Sequence, residues 1–180
     1  MKQKLLLLIA PLLLLHCTGE KETPFLVGPD RVGKLMRTHR LSQLDSIYRS
    51  DSLVRDSTRL NMGINGKIEV YEKGGQHLLT LSPGTDSLAG IENIRILDPR
   101  YQTPEGIGLL STFNDIQKAY EIRKVVSSPS NILILLKNSP VYFTISREEL
   151  PGAIRYSNQP IEAIQIPGEA RIKYMMVAWE

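Results

Sequence analysis

The most regular hydrophobic pattern in the chain flanks Gly74-Gly75 in KIEVYEKGGQHLLTLSPG. Ile68 and Val70 alternate with polar residues before the glycines, and His77, Leu79 and Leu81 alternate after them. Two period-two runs joined by Gly-Gly predict a β-hairpin. Thr85 to Gly90 reads as a loop, and IENIRIL as a further strand ended by Asp98-Pro99. Upstream, PFLV is a short strand-like run. RLSQLDSIY then sets Leu41, Leu44, Ile47 and Tyr48 on one helical face, with Thr38 and Ser42 as candidate helix starts. The polar stretch from Ser50 to Thr58 reads as loop.

The second half follows a similar plan. TPEGIGLL leads into STFNDIQKAY, where Thr112 and Asp115 have the spacing of a capping box and Phe113, Ile116 and Tyr120 share a face. YEIRKVVSS and NILILLK predict a strand pair across Ser128-Pro129-Ser130, VYFTIS another strand, and REELPGAIRY a short helix or turn. PIEAIQI and RIKYMMVAW close the chain as expected strands. Many strands, few helices and no regular βαβ alternation predict an α+β fold, a mostly antiparallel sheet with short helices packed on one face. Gly33-Lys-Leu precedes Leu44 and Tyr48 as Gly108-Leu-Leu precedes Ile116 and Tyr120, but the glycine-to-helix spacings differ, eleven residues against eight. Two related β-α-β-β units and a chance likeness both fit that pattern. The final strand is apolar on both faces, with Ile172, Tyr174 and Met176 on one and Met175, Val177 and Trp179 on the other. That pattern predicts a central, covered strand; an open face of Met175, Val177 and Trp179 would instead be a contact patch.

The amino terminus changes the picture of where this domain sits. Lys2 and Lys4 precede an apolar run from Leu5 to Leu15 that is too short to span a bilayer and contains Pro11. A basic stretch followed by a short apolar one reads as a secretory signal. The segment LLLLHCTG resembles a bacterial lipoprotein signal, in which Cys17 becomes the acylated first residue. Leu14 fits that pattern; His16 stands where a small residue is usual. The implied organisation is a signal peptide over 1–16, a lipid-anchored tether over 17–23 and a single α+β domain over 24–180. Two acyl chains would hold such a domain stably and one only marginally.

Removal of residues 1–16 takes Lys2 and Lys4 with it and lowers the formal charge from +3 to +1. The basic balance is thus partly the leader's, and nucleic acid is not expected as a partner. The one cysteine is Cys17, so no internal disulfide forms. GPDRVGKL has the spacing of a phosphate-binding loop, but Leu35 stands where a Ser or Thr must hold Mg²⁺. A turn with a surface lysine is expected there, and no nucleotide. His39 and His77 are isolated from each other and from carboxylate clusters, so neither a metal nor another cofactor is expected. His77 reads as strand packing and His39 as a helix-entry residue. No nucleophile elbow is present, and the adjacent Glu148 and Glu149 read as solvent-facing. The densest polar cluster is Asp98, Arg100, Tyr101 and Glu105 in DPRYQTPEG. These are candidate binding residues, because Arg and Tyr on loops anchor interfaces; a turn held by an Asp–backbone bond and an ion pair is the plainer reading. No catalytic residue is assigned.

YEKGGQHLLTL, ILDPRYQTPEGIGLLSTFNDIQKAY and IPGEARIKYMMVAW resemble segments of an uncharacterised family of bacterial envelope lipoproteins, whose members tend to read T-x-x-G-I-G-x-x-S-T-F-x-D-I in the central stretch. The helix-entry segments are also loosely similar to BamE and β-lactamase-inhibitor-like modules. These resemblances imply a cell-envelope location, lipid-anchored and facing the periplasm from the outer membrane, with the membrane and an envelope protein as partners. The function expected is a binding or assembly module without catalysis. A periplasmic enzyme using the DPRY region and an inhibitor of an envelope hydrolase are the alternatives.

Overall fold

The computed structural model describes residues 24–56, 66–84, 90–157 and 159–179. Cys17, the leader and the tether lie outside these residues, as does most of the loop expected after Pro83. Three two-residue strands open the domain, β1 (Val27–Gly28), β2 (Arg31–Val32) and β3 (Leu35–Met36), forming a small antiparallel sheet in that order. A 3-10 turn, Leu41–Gln43, runs into α1 (Leu44–Ile47). Four strands follow as a meander: β4 (Ser52–Arg55), β5 (Ile68–Tyr71), β6 (His77–Pro83) and β7 (Ile91–Ile96). Then come α2 (Phe113–Ala119) and a second meander, β8 (Ile122–Ser127), β9 (Asn131–Leu136), β10 (Val141–Ser146) and, after α3 (Gly152–Arg155), β11 (Ile172–Ala178). The last strands of the two meanders pair with each other, giving one eight-stranded sheet in the order β4-β5-β6-β7-β11-β10-β9-β8. All seven neighbouring pairs are antiparallel.

Period-two alternation sorts the side chains of this sheet. Val70, Leu79, Leu81, Ile94, Ile134, Phe143, Met175 and Val177 are fully buried and share one core with Leu44 of α1 and Phe113 and Ile116 of α2. The intervening positions, such as Glu69, Asn93, Arg95, Tyr142, Tyr174 and Met176, are half-buried on the opposite face. The fold is therefore α+β and mostly antiparallel, with few and short helices.

The lead-ins to α1 and α2 correspond closely. Arg40 bridges Gly90 just before β7, and Thr112 bridges Arg171 just before β11. The Arg40 N–H donates to Gln43 Oε1 at 2.8 Å, and the Thr112 N–H donates to Asp115 Oδ2 at 2.9 Å. One turn later the Tyr48 N–H donates to the Leu44 carbonyl and the Tyr120 N–H to the Ile116 carbonyl. Each four-strand meander thus begins at a tyrosine that ends a helix (α1 or α2) whose entry is closed by a side chain accepting the backbone N–H three residues before it.

Several expected elements differ. The segment expected as loop from Ser50 to Thr58 contains β4, an edge strand whose Leu53 packs partly into the core opposite Val70. PIEAIQI is not a strand. Its centre is a 3-10 turn, Ala163–Gln165, closed by the Glu162 N–H donating to Gln165 Oε1, and Ile161 and Ile166 are buried on either side. The first helix starts after Arg40, not at Thr38 or Ser42, because the bridge to Gly90 fixes Arg40 in extended conformation. The final strand is central, between β7 and β10, with Met175, Val177 and Trp179 in the core. Ile172, placed with Tyr174 and Met176 by simple alternation, is also buried. The register shift between Thr144 and Ile145 in the β10 pairing turns it to the core side.

Candidate functional site

The DPRY loop follows β7 and closes on itself. Asp98 is only 2% exposed. Its carboxylate accepts from the Arg100 backbone N–H at 2.9 Å, from Arg100 Nε at 2.9 Å and from Nη2 at 2.8 Å. These hydrogen bonds hold the Asp98 carboxyl below the ordinary aspartate range against the opposing effect of burial. The same guanidinium is gripped on its outer side by Glu72, at 2.8 and 3.3 Å, and lies over the Phe25 ring at 4.2 Å. Phe25 meets Tyr101 edge-on at 5.1 Å, and Tyr101 is buried, with its phenol pushed up by that burial and by the nearby Asp98 charge. Three of the four candidate residues, Asp98, Arg100 and Tyr101, therefore come together. Glu105 is engaged elsewhere, accepting from the Tyr120 hydroxyl at the end of α2. Burial opposes the Glu105 charge, but the bonds from Tyr120, its own backbone and Thr103 outweigh it and leave the carboxyl lowered.

The loop also stitches the amino-terminal strands to the sheet. The Gln102 N–H donates to the Phe25 carbonyl and the Val27 N–H to the Gln102 carbonyl. Two glycines admit Tyr101 between the halves. A Cβ on Gly33 would stand 2.7 Å from the Pro24 carbonyl oxygen and 3.0 Å from the Tyr101 ring, and one on Gly108 would stand 2.6 Å from the Tyr101 carbonyl oxygen. The two carbonyl contacts are closer than a real Cβ tolerates, and the ring contact is tight, so close approach rather than chain direction alone requires glycine at both lead-ins. Asp98 and Arg100 thus spend their charged groups on each other, Arg100 also on Glu72, and Tyr101 packs its ring into the fold.

The opposite face of the sheet behaves differently. Between β5 and β9 it carries a shallow groove of about 360 Å³. On the β5–β6 side Glu69 accepts from His77 Nε2 at 2.8 Å and from the Thr80 hydroxyl at 2.6 Å, while the His77 ring stacks on Tyr71 at 4.3 Å. In the centre Asn93 donates to the Tyr142 hydroxyl at 3.0 Å, joining β7 to β10 across β11. Arg95, opposite Thr80 on one side and Met176 on the other, lays its guanidinium over the Tyr174 ring at 3.8 Å. Its Nε is buried without a hydrogen-bond partner. Among the described residues Arg95 makes no ion pair. At the rim Lys173 Nζ reaches Asn131 at 3.1 Å. None of these groups stands out by local sequence density. The available signal is alternation itself, since IENIRIL, VYFTIS and RIKYMMVAW each place a polar or aromatic side chain at the positions facing away from the core.

The other sequence candidates have local roles. GPDRVGKL runs through β2 and β3, and Lys34 Nζ is held by Asp51 at 2.6 Å and Ser50 at 3.2 Å. His39 Nδ1 accepts from the Met36 N–H in the turn before the first helix. Glu149 lies 3.4 Å from Arg171. Among the described residues no group of three or more His, Cys, Asp or Glu is placed to hold a metal, and no helix is long and apolar enough to cross a membrane.

The fold has a counterpart among solved structures. The chain is similar to the uncharacterized protein yfeY from Escherichia coli, with a TM-score of 0.52 over 84% of this chain and 98% of that one, at 14% identity. At that identity the likeness concerns the path of the backbone and not the chemistry of any site. Neither a family model nor a curated protein matches the sequence.

Proposed function

We propose that this protein is a lipid-anchored module of the bacterial cell envelope that binds a ligand or partner on the open face of its sheet. Cys17, acylated after loss of residues 1–16, would hold it at the outer membrane facing the periplasm, as in the envelope lipoproteins its T-x-x-G-I-G segment resembles. The observation that carries the binding reading is the state of the two polar regions. Asp98 and Arg100 of the DPRY cluster are paired with each other, and Arg100 also with Glu72, whereas the open face presents aromatic, amide and hydroxyl groups around an arginine that has no acidic partner among the described residues. A further part of the proposal is that short helices cover only the other face and that the two halves are copies of one unit. The matching caps and the matching bridges at Arg40 and Thr112 support this. The unit would be a glycine-led entry, a helix and a four-strand meander, longer than β-α-β-β.

Two measurements on cells test it. Mass spectrometry of the membrane-extracted protein is expected to find an acylated Cys17 and no residues 1–16; a soluble chain cleaved elsewhere would overturn the anchor. Photo-crosslinking residues placed at Leu133 and Met176 on the open face are expected to capture material that the same residue at the exposed Lys118 of α2 does not. Equal yields at all three sites would overturn the binding face.

A further inference from the structure

We infer that the open face of the sheet is a saccharide-binding groove whose Arg95 receives a sugar carboxylate. The inference deepens the binding reading and rests on it for the choice of face. Its starting point is the unmet guanidinium. A half-buried arginine ordinarily collects carboxylates or carbonyls, as Arg147 does here: it donates to the carbonyls of Ser128, Arg155 and Ser157 at 2.8–2.9 Å. Among the described residues Arg95 has the Tyr174 ring beneath it and no hydrogen-bond partner at Nε. An aromatic face holds the guanidinium flat but accepts none of its in-plane N–H groups, and these are the groups that match a carboxylate.

Charge around the groove agrees. Its lining includes Lys67 and Arg95 and one acidic side chain, Glu69, which is already shared by His77 and Thr80. An incoming anion therefore meets uncompensated positive charge, and a cationic ligand would find no free carboxylate among the described lining residues. The rest of the lining decides what carries the anion. Ser82, Asn93, Asn131, Tyr142 and Thr144 offer both donors and acceptors, while Leu133 and Met176 are its apolar members. Such a surface suits a molecule with many hydroxyls and limited apolar edges, and it has no apolar slot for an acyl chain. An acidic peptide is a poorer fit. Peptides bind sheets through backbone groups at an edge, and a sheet's face exposes none. From β5 to β9 the face spans six strands, roughly 24 Å at ~4.8 Å per strand, which accommodates an extended oligomer.

Titration calorimetry of the full-length protein with galacturonate and glucuronate oligomers tests this. Saturable binding is expected to at least one of them, weakened at least tenfold by methyl esterification of the same oligomer and at least tenfold by Arg95→Gln. Arg95→Lys is expected to lie between, since it keeps the charge and loses the planar fork. Unchanged unfolding curves for both variants would exclude a folding defect as the cause. Absence of saturable uronate binding would overturn the inference, as would equal affinity of wild type and Arg95→Gln, or tighter binding of a glutamate hexapeptide or of phosphatidylglycerol vesicles. If uronates fail while open-face crosslinks persist, the saccharide falls and the binding face stands.

Discussion

Arg95 and Arg100 lie on the same stretch of chain, one inside β7 and one in the loop that follows it. Arg100 is the more exposed to solvent, yet its N–H groups are taken by Asp98 and Glu72 and one face lies over the Phe25 ring. Arg95 is at the middle of the sheet, with a ring on one side and, among the described residues, no acceptor at Nε. Residue density in the sequence draws attention to Arg100 and passes over Arg95. The crowded loop holds Asp98 and Arg100 to each other, and such pairing contributes stability. Under the proposed binding face, the arginine between two strands is the one the fold leaves for a ligand.

The largest test of this division is on the core side. Ile116 of α2 is fully buried against the sheet, so Ile116→Ala is expected to cost about 2–5 kcal/mol in denaturant unfolding. Met176, half-buried on the open face, is expected to cost less than about 1.5 kcal/mol as Ala. Comparable losses at the two sites would mean that the open face is also packed, and the contrast would fail.

Next in size is Asp98→Asn, which keeps the shape and removes the charge that Arg100 grips. A loss of about 2 kcal/mol at pH 7 is expected from charge-assisted hydrogen bonds. The sign with pH follows from the lowered carboxyl. The contribution is complete above the unfolded value near 3.9 and disappears as pH falls through the lower folded value. Wild type and Asp98→Asn are therefore expected to differ by a constant amount from pH 7 to about pH 5 and to converge below about pH 4. A gap that widened on acidification would contradict the assigned pair.

Smaller still are the two helix entries. Gln43→Ala and Asp115→Ala each remove the acceptor of a backbone N–H at the start of a helix, and each is expected to lower the thermal midpoint by a small and similar amount. A large cost at one and none at the other would separate the two halves that the fold treats alike.

Much of this architecture is readable from local pattern. The hairpin at Gly74-Gly75, the Thr112–Asp115 cap and the pair Leu44/Tyr48 with Ile116/Tyr120 are signals carried within a few residues, and each has its structural counterpart. What escapes is set by contacts distant in sequence. SLVR becomes β4 only because β5 offers it an edge, and its own end residues, Ser52 and Arg55, look like loop. PIEAIQI alternates like a strand, yet the Gln165 side chain closes a turn inside it. The pairing of β7 with β11 joins residues about 80 apart, as in Arg95 with Met176, and no local feature announces it. Without that pairing Arg95 reads as one more solvent-facing charge in an alternating strand. With it, Arg95 sits at the seam between the two meanders.

The most direct test sets the two arginines side by side in urea unfolding. Arg100→Met strands the Asp98 carboxylate and is expected to unfold at a clearly lower urea concentration than wild type. Arg95→Met removes a group whose Nε has no partner, and its stability is expected to match wild type within about 0.5 kcal/mol or to exceed it. If Arg95→Met instead loses as much as Arg100→Met, Arg95 serves the fold, and the open face has no arginine held in reserve for a ligand.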